Sequence, residues 1–422
     1  MHALLIVIFF AGAAYFAGKR RRLDTFTVAF FAAALYFLPG FVGYTLSPVT
    51  PSSPVKLPMA MVTEATAIMS MVLAAIFVGG AIWDAFGVRS RTFRSWRLED
   101  ASLAGAIALL IGLLGVVLTW VESGGAAFDP DKRVVIGVVG RGHLVWEMGA
   151  ILAAAFAMTH GQRWVLIGAF ALLLLDMYIG FRFAFACAFI ACAWLRTDDG
   201  RPVRLRDLSP RAVLLVVVGG LTIISYQNLK EPIRAGEWSE VGARLSDPLW
   251  YFKGIMTSEP FTTQTVLNEV VRKDFRTGTD HLMSASQHLI LFAPALGAEA
   301  PRFNDQYQPA LFPAVDHGLA NNIWAQFWSA GSWPLLLAFV LIYVVVLAIG
   351  AHLMRTTDAA LRALWAVFFA FWCFYIHRNE LLTQVGFQKQ VLLTWAACTV
   401  AAIMLSAVIR QVRNGRRSAD GA

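Results

Sequence analysis

The stretch Trp333–Leu353, WPLLLAFVLIYVVVLAIGAHL, runs for 21 residues without an Asp, Glu, Lys or Arg. At about 1.5 Å of rise per residue it can cross the ~30 Å hydrocarbon core of a bilayer as a single helix. Working outward, comparable apolar runs fall at 2–18, 26–45, 59–83, 101–120, 143–159, 164–180, 181–195, 212–226, 362–377 and 389–409. Hydropathy reads each as a span. Of the 422 residues, 58% are hydrophobic and only 15% charged, so the expected class is an all-α polytopic membrane protein of about eleven transmembrane helices. Residues 1–226 hold the first eight, 227–317 form one large, partly helical loop, and 318–422 hold the last three and a basic tail.

The first run has no basic leader and is followed at once by Lys19-Arg20-Arg21-Arg22, the pattern of an anchor with its N-terminus outside. With that cluster inside, every second loop should be basic, and each is. The residues are Arg89, Arg91, Arg94 and Arg97; Arg163; Arg196, Arg201, Arg204, Arg206 and Arg211; Arg355 and Arg362; and Arg410, Arg413, Arg416 and Arg417 in the tail. These short loops account for most of the net charge of +8 and the pI near 9.5. They set orientation and meet anionic lipid headgroups; they lack the basic, aromatic face of a nucleic-acid binder. Cys187, Cys192, Cys373 and Cys398 lie inside apolar runs without metal-ligand spacing and read as packing. The proline-rich stretch 47–54 reads as a short, stiff outer loop. Asp198-Asp199 lies on a basic inner loop without the spaced form that holds metal-nucleotide sugars. Phosphate-cradling loops, zinc spacings and nucleophile elbows are lacking in the sequence.

Charge inside a bilayer costs about 2.5–3.5 kcal/mol per residue on insertion scales, so the residues that carry it there line polar cavities. On this topology Glu64, Glu122, Arg141, His143, Glu147, Asp176, Arg182, His377, Arg378 and Glu380 all fall near the outer ends of their spans. Arg182 precedes the inner-boundary Arg196 by 14 residues, about 21 Å of helix, and Arg378 follows Arg362 by 16, about 24 Å. Both should sit below the outer surface in a cavity open to the outside, where guanidinium forks suit anion oxygens. The bland alternative pairs Arg182 with Asp176 and Arg378 with Glu380 as stitches between helices.

Residues 227–317 are too many for a connector. Thr262–Lys273 has helical periodicity, and His288–Leu296 is apolar enough to lie on the membrane. A helical cap over the cavity mouth is expected, with Asp316 and His317 returning to the rim.

Three features now carry a resemblance. One is an arginine opening a span at the outer face, Gly180-Phe181-Arg182-Phe183. Another is the stretch His317–Trp333, small and polar, entering a glycine-containing helix. The last is His377-Arg378-Asn379-Glu380-Leu381 before the final span. The pattern resembles the O-antigen and oligosaccharide repeat-unit polymerases of the Wzy type, and more distantly the O-antigen ligases. Family members often have an acidic residue where this chain has Gln326.

The resemblance implies a metal-independent, cofactor-free glycosyl transfer at the periplasmic face of the bacterial inner membrane, with the N-terminus periplasmic and the C-terminus cytoplasmic. Its substrates would be undecaprenyl-pyrophosphate-linked oligosaccharides, and a chain-length regulator and a flippase would be candidate partners. Arg182, Arg234 and Arg378 would meet the pyrophosphate leaving group. His317 would be the general base, with Glu380 or Asp316 behind it. Asn321 and Asn322 would bind sugar hydroxyls or cap the next helix. Trp324, Trp328 and Trp333 would stack on sugar rings or, the favoured reading, sit in the interfacial belt. An O-antigen ligase is the alternative enzyme; a transporter or flippase for anionic lipid-linked sugars is the alternative of another class, though the repeats and broken helices typical of transporters are not evident.

Overall fold

The computed structural model describes residues 1–86, 101–197, 229–290, 297 and 302–419, leaving out 21, 49, 51–52, 54–55, 130–131, 230–231, 234, 257 and 316–317. The helices are α1 (His2–Ala13), α2 (Thr25–Tyr36), α3 (Leu38–Val42), α4 (Thr63–Phe86), α5 (Ala104–Ser123), α6 (Lys132–Val138), α7 (Arg141–His160), α8 (Arg163–Ile179), α9 (Phe183–Thr197), α10 (Trp238–Ser246), α11 (Pro248–Met256), α12 (Glu259–Arg272), α13 (Thr279–Gln287), α14 (Phe303–Leu311), α15 (Ile323–Thr356), α16 (Ala359–Cys373) and α17 (Leu381–Ala419). Six helical stretches are long and apolar enough to cross a membrane, and three more are shorter and apolar. The protein is an all-α membrane protein. The run 212–226 and Arg21, Arg89, Arg91, Arg94, Arg97, Arg201, Arg204, Arg206 and Arg211 lie outside the described residues.

Two compact units emerge, each assembled from several chain segments. The first comprises Met1–Val88, Asp199–Ala351 and Phe371–Phe387; the second comprises Arg89–Asp198, His352–Ala370 and Gln388–Ala422.

In the first unit the run 26–45 is not one continuous helix. α2 ends at Tyr36 because Pro39 lacks the N–H that would continue it; Pro39 instead opens the short α3, which Gly43 closes at φ +82°. A two-stranded hairpin follows, β1 (Tyr44–Leu46) antiparallel to β2 (Pro58–Ala60), with Thr45 opposite Met59. The proline-rich stretch lies in its connection. The hairpin holds α12: the Thr45 hydroxyl reaches Phe261 O at 2.5 Å and Thr265 Oγ1 at 2.7 Å, while Asn268 accepts from Val62 N at 2.8 Å and donates to Ala60 O at 3.1 Å. Although α12 belongs to the long loop, it is buried along almost its whole length, including Thr263, Gln264, Asn268 and Glu269. Arg20, expected as an exposed orienting charge, is buried and paired with Asp24 at 2.6 Å and with Asp84 at 2.7 Å.

α15 breaks at Gly331–Ser332, with Ser332 at φ +54° and Pro334 two residues on. Pro334 cannot donate to the carbonyl one turn back, so carbonyls near the break need other donors. Loop residues supply them: Arg276 Nη1 donates to Trp328 O at 2.9 Å and Thr277 N to Ser329 O at 3.0 Å.

The second unit is built on α5 against α7. A Cβ on Gly115 would stand 2.2 Å from Trp146 N, and one on Gly149 would stand 2.4 Å from Gly112 N. Small residues let the two backbones touch, the packing helices use where lipid gives no hydrophobic drive between them. On the other face of α5, Leu110, Leu114, Val117 and Val121 are exposed, as on a lipid-facing surface.

Candidate functional site

In the first unit, the turn before α17, the start of α12 and the entry to α15 meet around polar side chains. α16 gives way at Cys373 to a 3₁₀ turn, Tyr375–Arg378, so Arg378 stands on a tighter turn than the continuous α-helix expected. Its guanidinium is half-buried, ion-paired with Glu259 at the start of α12 and 5.0 Å from the centre of the Tyr375 ring. Burial by itself would lower the Arg378 pKa, but the Glu259 carboxylate outweighs it and holds the group above its ordinary value. Arg378 therefore stays charged. Its partner is Glu259 on the loop helix.

Glu380 is fully buried, and its two oxygens accept from the Phe303 backbone N–H, at the head of α14, and from the Thr383 hydroxyl at 3.1 Å. Burial raises its pKa, opposed by those two donors. It joins loop helix α14 to the head of α17.

Gln326 makes a second link. Its Oε1 accepts from Leu381 N at 2.8 Å, and its Nε2 lies 2.9 Å from His281 Nε2 on α13. A backbone N–H can only donate, so the orientation of the Gln326 amide is fixed and its NH₂ must donate to His281 Nε2. The proton of a neutral His281 therefore sits on Nδ1; Gln306 Nε2 lies 3.1 Å from that nitrogen, so this contact is a hydrogen bond when the Gln306 amide is turned to present its oxygen. Burial lowers the His281 pKa, in keeping with a neutral ring.

Asn322 caps α15, its Oδ1 accepting from Ala325 N at 3.1 Å; its Nδ2 reaches Thr263 O at 3.3 Å and Gln264 Oε1 at 3.4 Å. The neighbouring Asn321 is half-buried. Trp324 and Trp328 are buried instead of lying in an interfacial belt, while Trp333 is 39% exposed. Trp324 Nε1 donates to His377 Nδ1 at 3.3 Å, and the His377 ring stacks on Tyr36 with centroids 5.6 Å apart. Helical contacts with the aromatic core, absent from a hydropathy profile, draw these tryptophans inside.

Within this network Thr263 Oγ1, Gln264 Nε2 and Gln384 Nε2 are buried and find no hydrogen-bond partner among the described residues. Such groups cost about 1–3 kcal/mol each when unmet, and a site that binds a hydroxylated ligand is one reason to keep them. Thr263 is one turn along α12 from Glu259, Gln264 meets Asn322, and Gln384 Oε1 accepts from Asn379 Nδ2 at 3.4 Å. The unmet groups and Arg378 thus belong to one connected cluster.

Of the other sequence candidates, Arg234, Asp316 and His317 lie outside the described residues. Arg182 lies in the second unit, half-buried, just after Gly180 at φ +113°; its carbonyl accepts from Ala186 N at 3.1 Å in the first turn of α9. Arg182 and Arg378 thus belong to different units. Glu259, Gln264, His281 and Gln384 were not singled out as site residues by the sequence reading, and no motif marks them. Comparison with protein-family models, with curated proteins and with solved structures returns no match.

Proposed function

We propose that the protein is a glycosyltransferase that polymerises undecaprenyl-pyrophosphate-linked oligosaccharide repeat units, acting at the periplasmic face of a bacterial inner membrane. In this reading the chain crosses the membrane eleven times with its C-terminus cytoplasmic, and residues 227–317 form the periplasmic loop. The observation that carries it is a permanent cation joined to unmet polar groups. Arg378 stays charged beside Glu259, and the same cluster holds Thr263, Gln264 and Gln384 with hydrogen-bonding capacity to spare. A lipid pyrophosphate and a sugar hydroxyl need those two kinds of partner.

Chemically, the acceptor hydroxyl attacks the anomeric carbon of the donor sugar, the bond to pyrophosphate breaks, and the electron pair leaves with the lipid pyrophosphate. The hydroxyl proton goes to a base, assigned to His317, with Asp316 and Glu380 as the other candidates. Arg378 stabilises charge developing on the leaving pyrophosphate, with Arg182 and Arg234 as the further candidate cations. Glu380, which links α14 to α17, holds the rim in register.

The experiment is deletion of the gene in its host followed by gel analysis of surface polysaccharide. Core carrying one repeat unit is the expected product; core with no attached repeat unit indicates a ligase. Unchanged long-chain laddering refutes both enzyme readings. Arg378→Ala, inserted at normal level, abolishes laddering; full activity in that variant refutes the leaving-group role.

A further inference from the structure

In the second unit three ionisable side chains converge away from the cluster described above. His143 and Glu147 stand one turn apart on the same face of α7, and Asp176 faces them from the last turn of α8. His143 Nε2 is 2.7 Å from Asp176 Oδ1 and 3.7 Å from Glu147 Oε1, and one donor atom of each residue lies within 4.8 Å of the other two. All three are buried, at 3%, 1% and 0% exposure respectively.

The scaffold holds them rigidly. α7 is pressed on α5 through Gly112, Gly115, Gly142 and Gly149. Trp146 Nε1 donates to Leu172 O at 3.2 Å, fixing the register of α7 on α8 beside Glu147 and one turn before Asp176. Phe181 and Trp146 pack on the imidazole, with ring centroids 4.3 Å and 5.6 Å away. His143 is the third residue of α7 and Asp176 the fourth from the end of α8, so the cluster sits at the end of the helices, beside the Gly140 and Gly180 turns.

We propose that His143, Glu147 and Asp176 form a binding site for a divalent first-row metal ion such as Zn²⁺ or Mn²⁺. One imidazole nitrogen and two carboxylate oxygens form a donor set such ions take, and three protein donors is the number that open zinc sites use. Around an ion at about 2.1 Å, tetrahedral donors stand about 3.4 Å apart. The His143–Asp176 pair must open by about 0.7 Å and the His143–Glu147 pair close by about 0.3 Å to reach that separation, and the Glu147–Asp176 pair, within 4.8 Å, need close by no more than about 1.4 Å. The two carboxylates match the charge of a dication. Arg182, six residues after Asp176, is the competing cation of this region. Apart from Arg182, a candidate cation there, the site uses none of the residues given a part in the glycan chemistry proposed above.

The test uses the full chain in detergent, stripped with a chelator and titrated with Co²⁺, whose visible absorption reports imidazole and carboxylate ligation. One ion per chain is expected, displaced by Zn²⁺. His143→Ala should weaken binding by about tenfold or more, the size of effect known for groups that support metal ligands. Glu147→Gln keeps shape while removing charge and should weaken it to a similar degree, covering the case in which His143→Ala fails to fold. Arg182→Gln should leave binding intact or tighten it. No binding in the wild type, or binding unchanged in both His143→Ala and Glu147→Gln, overturns the proposal and leaves a His143–Asp176 hydrogen bond.

Discussion

Replacing Gln326 by Glu should invert the pH response of the link between α13 and α17. In the wild type, the Gln326 amide accepts from Leu381 N and donates to a neutral His281. Burial sets the folded-state pKa of His281 below its ordinary value. On acidification the unfolded chain therefore takes up the proton first. Stability from this group is complete above about pH 6.5, falls as pH drops below that, and levels off once folded His281 is also protonated. In Gln326→Glu the carboxylate still accepts from Leu381 N but has no proton to give. It accepts instead from a protonated His281, so the folded pKa rises above the unfolded one. The stabilisation is then complete below about pH 6.5 and is lost as pH rises through the new folded pKa.

A hydrogen bond to a charged group contributes about 1.5–3 kcal/mol. For a chain of this size that is a difference of roughly 2–3 °C in unfolding midpoint between pH 5 and pH 8, opposite in direction to the wild type. Glu380 also titrates near this contact, and it is common to both proteins. Glu380, raised by burial, contributes stability that is lost as pH rises, in wild type and variant alike. The difference between the two profiles therefore reports His281 together with the introduced carboxyl. Adding His281→Gln to the variant should flatten that difference. The assay is the unfolding midpoint of the detergent-solubilised chain across pH 5–8; parallel profiles for wild type and Gln326→Glu would refute the His281–Gln326 contact and the tautomer deduced from it.

Gly115→Val should abolish recovery of folded protein. Its Cβ would meet Trp146 backbone that cannot give way, whereas Gly386→Ala, which meets nothing within 4 Å, should leave the monodisperse yield unchanged. Asn322→Ala removes the α15 cap and the link to α12 and should cost about 1–2 kcal/mol, read as a lowered unfolding midpoint. Asn321→Ala, which removes neither, should cost less. Arg276→Ala leaves Trp328 O without its donor at the α15 break and should cost about 1–3 kcal/mol, with Arg276→Lys recovering part of the loss.

Membrane class and most helices were legible because hydropathy and helix length are local properties. Helix endings were less so. The run 26–45 reads as one apolar span, and only the missing N–H of Pro39 and the left-handed Gly43 end it early. Partners were least legible, because they depend on which helices meet. Arg378 could be placed near an end by counting, but its partner proved to be Glu259, 119 residues away, and not the adjacent Glu380. His143 and Asp176, 33 residues apart, give no spacing signal until α7 and α8 lie side by side.

Gln326 shows how such a departure becomes intelligible once contacts are known. Under the polymerase reading proposed above, an acidic residue would be expected at this position. An acid can accept from Leu381 N, but it can also donate to His281 only by staying protonated, or by drawing the proton onto the ring. Either course adds a titrating carboxyl to a pocket that already holds Glu380 fully buried. The amide performs both tasks without charge, because it carries acceptor and donor on one planar group. The amide thereby adds no charge to that of Glu380 and of the Arg378–Glu259 pair. The uncharged Gln326–His281 link holds α13 to the head of α17 across the pH range in which His281 remains neutral.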